Sequence, residues 1–181
     1  MKLDRHFQFR GTRDYLHSAS VFDDLLRVRG KNSTNIDLKF HRRTDRQVSY
    51  VDELADGEPV AEWSDSGGRL FVIEREEHIS ECAPYDEDGL AARFEIEGRI
   101  AKIPSAIGPF TRMEAVIAGF KRLLQSVYPD AKRKYVFVRV RLDHCPDAAL
   151  EIQYARDIGA FYQGNISKDG KLIGQIFFGV W

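Results

Sequence analysis

Apolar residues in the stretch 112–128 recur on one helical face. Met113, Val116, Ile117, Phe120, Leu123, Leu124 and Val127 make a single stripe, and Glu114, Lys121, Arg122 and Gln125 fall off it. The spacing predicts the best helix of the chain. The residues beyond it are strand-like: β-branched and aromatic runs at 135–142, 149–155, 159–166 and 171–181, with Val136, Val138, Val140 and Leu142 alternating and Asp169-Gly170 as a turn. Upstream the same order is written more weakly. A short strand at 5–11 leads through the polar residues 12–20 into a helix at 19–28, held by Phe22, Leu25 and Leu26 and ended by Gly30. Strands are then expected at 35–43, 46–52, 60–64 and 69–77. Thr44-Asp45, the acidic stretch 52–59 and Asp65-Ser66-Gly67-Gly68 separate them.

The two halves therefore read as copies. His6-Phe7-Gln8-Phe9-Arg10-Gly11 aligns with Arg93-Phe94-Glu95-Ile96-Glu97-Gly98, and Val21 to Leu26 with Gly119 to Leu124. Ile36, Leu38 and Phe40 align with Val136, Val138 and Val140, Val48 and Tyr50 with Leu150 and Ile152, and Gly68-Arg69-Leu70 with Gly170-Lys171-Leu172. The separation grows steadily from 87 to 102 residues, as loop insertions in the second copy would make it. A period this long, present twice, points to a fused pair of modules rather than a solenoid. The expected organisation is a first repeat at 1–78, a linker at 79–91 that carries Pro84, Asp86, Asp88 and Gly89, and a second repeat at 92–181.

Composition narrows the function classes. Among 181 residues, 27 basic side chains stand against 28 acidic ones, so bulk charge gives no case for nucleic acid or an anionic membrane, and the basic runs 41–43 and 132–134 read as solvated faces. No apolar run approaches a membrane span, and the amino terminus carries no signal-like segment. Two cysteines, Cys82 and Cys145, make neither a disulfide framework nor a metal site, so the expectation is a cytoplasmic chain without metal or cofactor.

Strand, helix, then four strands, written twice, resembles the hotdog fold of acyl-thioester enzymes, and the duplication resembles its double-hotdog members. The implied fold is α+β, two repeats each of an antiparallel sheet wrapped around one long helix. The resemblance covers most of the chain but is one of topology and pattern. It implies an acyl group on acyl carrier protein or coenzyme A, bound in an apolar tunnel between the helices with its carbonyl near a helix amino terminus. Free N–H groups and the positive end of the helix dipole suit an enolate or tetrahedral oxygen there. Homo-oligomers are also common in the group.

On that resemblance the residues just before the first helix are the candidates. His17 is placed as a general base, because imidazole titrates near neutrality. Asp23 or Asp24 would orient it or supply the acid, and Asp14 is the aspartate that a thioesterase would place before the helix. Asp14 and Ser18 serve equally well as turn and N-cap residues. Arg13 is a candidate for a carrier phosphate, with Tyr15, Phe22 and Phe120 toward the acyl chain. At the second helix Thr111 and Glu114 read as capping residues, so chemistry would be asymmetric. The chain departs from the dehydratase pattern: His6-Phe7 lacks the following Pro-Gly, and Asp14 and His17 are three apart where the hydratases have five. The cluster 143–147, with His144 and Cys145, reads as a turn, since adjacent residues of an extended chain point apart. The leading expectation is a 3-hydroxyacyl dehydratase-like activity; the alternatives are an acyl-thioester hydrolase and a non-catalytic binder of an acyl or other apolar ligand.

Overall fold

Residues 1–55 and 57–180 are described by the structure, a computed structural model. Asp56, within the expected acidic turn, and Trp181, the end of the last expected strand, lie outside the described residues. Eleven strands form one antiparallel sheet: β1 (Lys2–Arg5), β3 (Thr34–Phe40), β4 (Arg46–Val51), β5 (Ala61–Asp65), β6 (Gly68–His78), β8 (Glu95–Glu97), β9 (Ile100–Ile103), β10 (Tyr135–His144), β11 (Leu150–Ile158), β12 (Phe161–Lys168) and β13 (Lys171–Val180). Two more, β2 (Phe9–Arg10) and β7 (Cys82–Ala83), pair in parallel. The helices are α1 (Ser18–Arg29), α2 (Glu87–Ala91) and α3 (Arg112–Val127).

The strand order is β1-β4-β6-β5-β3-β10-β13-β12-β11-β9-β8. Strands from the first half of the chain fill one side, strands from the second half fill the other, and the sides meet where β3 pairs with β10. Ile36 lies opposite Leu142 and Leu38 opposite Val140 in that pairing. Arg139 clamps it with hydrogen bonds to Asp37 across the seam. α1 and α3 pack against each other. Their apolar stripes close one core with the sheet: Phe22 meets Trp63 edge-on, and Phe120 lies 5.3 Å from Phe178. All four rings are fully buried.

Three local expectations are corrected. The strand expected at 5–11 is two pieces: β1 pairs with β4 at residues 2–5, and residues 9–10 leave the sheet for β7. In the second half the position of β1 is taken by β9, which is paired with β11, so 6–11 and 93–98 are not equivalent in space. The first half also orders its strands differently. β11, β12 and β13 run as a meander, whereas β4 and β5 flank β6 on opposite sides. β5 begins at Ala61, ten residues after the end of β4 at Val51, too far on for a two-residue hairpin, and it pairs with β6 and β3 instead of β4. β6 thus stands where β12 stands, and the match of 68–70 to 170–172 is one of sequence only. On β10 the buried residues are Tyr135, Phe137, Val140 and Leu142 rather than an unbroken even series. A register shift between Phe137 and Arg139 adds the residue that reverses the alternation.

Residues 79–91 do not hang free. Ile79 and Leu90 are buried, and α2 packs on α3. This stretch presents Tyr85 and Glu87 to the α1 amino terminus.

Candidate functional site

The amino termini of α1 and α3 open into two separate clefts. The first, of about 130 Å³, takes Arg13, Tyr15, Leu16, His17 and Ser18 from the start of α1 and residues 40–44 from the end of β3. Glu87 comes from α2, Ile117 and Lys121 from α3, residues 135–138 from β10, and Phe178 from β13. Phe40, Val60, Ile117, Phe137 and Phe178 give it an apolar floor; arginines and Lys121 give it a cationic rim. Both halves of the chain build it.

His17 is the N-cap of α1 and is 4% exposed. Ser18, expected as the cap, is instead the first helical residue. The imidazole makes no capping bond to the first turn of α1. Its Nδ1 is 3.4 Å from the Ser20 hydroxyl, and its ring lies against Tyr85 at 5.2 Å. Burial, then the charges of Arg13 and Arg10, push its pKa down to about 3, so the ring is neutral at physiological pH. Arg13 donates to Glu87 at 2.5 Å and stacks 4.9 Å over Tyr85; Lys121 reaches the other Glu87 oxygen at 2.9 Å. The Glu87 carboxyl is held below the usual carboxylate range by those cations, which outweigh its burial. Tyr15 packs under Arg43, 4.3 Å from ring centre to guanidinium.

The second cleft, of about 650 Å³, lies at the α3 amino terminus, with Arg5, Arg10, Ser20, Asp23, Asp24, Thr111 and Glu114 among its walls. α3 is capped where α1 is open. Thr111 accepts from the Glu114 amide at 3.1 Å, and the Glu114 carboxylate accepts in turn from the Thr111 amide at 2.8 Å. Glu114 also meets Arg10 at 2.9 Å. Asp23 is pushed up to about 6 by burial, against a hydrogen bond from Thr111 and with the Glu114 charge adding to the rise. Cys145 is near enough to feel the Asp23 charge, and burial with that charge pushes its thiol up to about 11. A thiol so protonated is a poor nucleophile.

The candidate residues are thus divided. His17, Arg13 and Tyr15 share the first cleft. Asp23 and Asp24 face the second, so neither orients His17. Asp24 is committed elsewhere: Arg5 grips both its oxygens at 2.7 and 2.5 Å, and Tyr50 donates to it at 2.9 Å. Asp14 is exposed and lines neither cleft. Phe22 and Phe120 are at 0% exposure in the core and do not reach the cavity; Phe178, against which Phe120 packs, is the ring that does. Sequence reading missed Lys121, Glu87 and Tyr85. Lys121 sat off the apolar stripe as an ordinary surface lysine, and the other two lay in the expected linker.

The sequence matches no family model and no curated protein. Among solved structures, a TesB protein of Mycobacterium avium subsp. paratuberculosis superposes with a TM-score of 0.51 at 11% identity, over 99% of this chain and 93% of that one. A bifunctional dehydratase-cyclase domain from ambruticin biosynthesis gives 0.50 at 10% identity, over 99% and 90%. The likeness is one of architecture, and it assigns the chain the hotdog fold.

Proposed function

We propose that this hotdog-fold chain is a double hotdog, with repeats at 1–78 and 92–181 joined by 79–91, and that it acts on an acyl thioester in the His17 cleft in the manner of a 3-hydroxyacyl dehydratase. The observation that carries the reading is the cleft itself: a neutral, buried imidazole at an uncapped helix amino terminus, above an apolar floor and inside a cationic rim. An acyl chain fits the floor. The thioester oxygen fits the free N–H groups of the first turn of α1. With Nδ1 beside Ser20, Nε2 is the nitrogen left for substrate. It takes the proton from the carbon next to the carbonyl, and the enolate charge falls where the helix dipole and Arg13 lie. The imidazolium so formed returns that proton to the β-hydroxyl, which leaves as water. The Asp partner expected for a dehydratase stands in the other cleft, so one group performs both transfers. Cys82 and Cys145 are free thiols, which suits a reducing cytoplasmic setting. No helix among the described residues is long and apolar enough to cross a membrane.

A second reading, hydrolysis, rests on Asp23: a carboxyl poised near 6 beside Thr111 is suited to activate water. Kinetics with a 3-hydroxyacyl and a simple acyl thioester separate the two. Dehydration that falls about 10²–10⁴-fold in His17→Ala and persists in Asp23→Asn supports the first. Hydrolysis that persists in His17→Ala and is lost in Asp23→Asn supports the second. Turnover of neither substrate with retained ligand affinity leaves a binding protein.

A further inference from the structure

The cleft beside His17 is shallow. The hotdog resemblance implies a tunnel between the helices, with Phe22 and Phe120 toward the acyl chain. In the structure both rings are sealed in the core, and α1 and α3 pack directly on each other. What remains is a recess of about 130 Å³. Its inner end is a row of three aromatic rings drawn from both halves of the chain. Phe40, at the end of β3, meets Phe137 of β10 edge-on at 5.8 Å, and Phe137 meets Phe178 of β13 edge-on at 6.1 Å. The bulge on β10 puts Phe137 there, since regular alternation would present Val136 and Val138 instead. Phe178 is 1% exposed and rests on Phe120, which lies against Gly164 of β12 with too little room for a Cβ between them. The row thus has packed core behind it, and a chain that reaches it stops.

The opposite direction offers an apolar chain nothing. Arg13, Arg42, Arg43 and Lys121 line the mouth, so methylenes turned back toward it meet charge and water and gain nothing from burial. The volume sets a scale. An apolar cavity of about 150 Å³ takes one benzene ring, so this recess has room for about six carbons, and for fewer once the thioester carbon and oxygen take their share near His17.

We infer that the site selects short acyl chains, about four to six carbons long, and that the row of Phe40, Phe137 and Phe178 sets the limit. This rests on the acyl-thioester reading of the His17 cleft, and the test keeps the two apart. Titration calorimetry measures the affinities of S-ethyl, S-butyl, S-hexyl, S-octyl and S-decyl pantetheine thioethers. Each methylene that enters the recess should tighten binding about 3- to 4-fold, and the gain should end by S-hexyl, with S-octyl and S-decyl no tighter. Affinity that keeps rising in step through S-decyl overturns the inference and leaves the cleft reading standing, because the chain then has a path past the row. Two variants, each checked for native circular dichroism, locate the limit. Phe178→Leu deepens the recess, and the ratio of S-octyl to S-butyl affinity should rise at least about 5-fold. Ile117→Phe adds a ring at a half-buried position of the α3 wall without opening a cavity, and it should move the end of the gain to a shorter chain. It carries the test if Phe178→Leu does not fold. A gain that ends at the same chain length in wild type and in every folded variant places the limit elsewhere and also overturns the inference. Failure of all five compounds to bind the wild-type protein removes the acyl-thioester reading, and the inference with it.

Discussion

Two side chains at the helix amino termini carry opposite electrostatic penalties. His17 has its pKa lowered from 6.5 to about 3, so below about 6.5 the unfolded chain takes up a proton that the native site refuses. The stability tied to the neutral ring is present above 6.5 and lost as pH falls toward 3. Asp23 is raised from 3.8 to about 6, so the native carboxyl takes up a proton before the unfolded one does. Its charged form is the penalised one, and stability is gained as pH falls from about 6 to about 4. Asp23→Asn should therefore stabilise the protein at pH 7 by about 1–2 kcal/mol and abolish that gain, as read by urea midpoints across pH 4–7. His17→Asn should lose less stability than wild type over the same range. An NMR titration in which the His17 ring protonates near 6.5 would contradict the burial and the cationic neighbours assigned to it. The sequence marked both residues, because a polar cluster before an amphipathic helix is visible in one dimension. It could not part them: Asp23 is six residues from His17 in the chain, but successive turns of α1 aim the two side chains at different clefts.

The elements are held by contacts that differ in how well sequence announces them. The Thr111–Glu114 capping box is written in plain spacing, and Thr111→Ala should cost about 1 kcal/mol in thermal or urea denaturation. A close approach such as that at Gly164 is not written anywhere. A Cβ there would stand 2.6 Å from the Phe120 ring, so β12 can lie under α3 only because the position is glycine. Gly164→Ala should destabilise by about 1–3 kcal/mol through displacement of that ring. An unchanged urea midpoint would show that Phe120 has room the packing denies. The bulge on β10 belongs to the same class. Four alternating apolar residues predicted a regular face, and one extra residue between Phe137 and Arg139 turned Tyr135 and Phe137 inward in place of Val136 and Val138. Strand periodicity survives in sequence, but its phase is set by pairing with β13, and pairing is not local.

Across the whole molecule, the two amphipathic helices were legible because each packs on strands of its own half, Phe22 of α1 on Trp63 and Phe120 of α3 on Phe178. The joint between halves was not. Ile36, Leu38, Val140 and Leu142 read as core residues of either half, and only the structure pairs β3 with β10 to make one sheet. The swapped order of β5 and β6 was hidden for the same reason, since either order satisfies the alternation. A continuous sheet implies that the halves unfold together. Hydrogen exchange should give amides of β3 and β10 the same opening free energy as those buried in α3, and a lower value at the seam would mean that the halves part first. The first cleft depends on that joint, since α1 brings His17 to it and α3 and β10 bring Ile117, Lys121 and Phe137. The most direct test of the acyl-thioester account is a crystal structure with an S-hexyl pantetheine thioether. The account predicts the alkyl chain over Ile117, Phe137 and Phe178 with sulfur near His17; ligand in the Asp23 cleft, or a first cleft closed to it, would contradict the account.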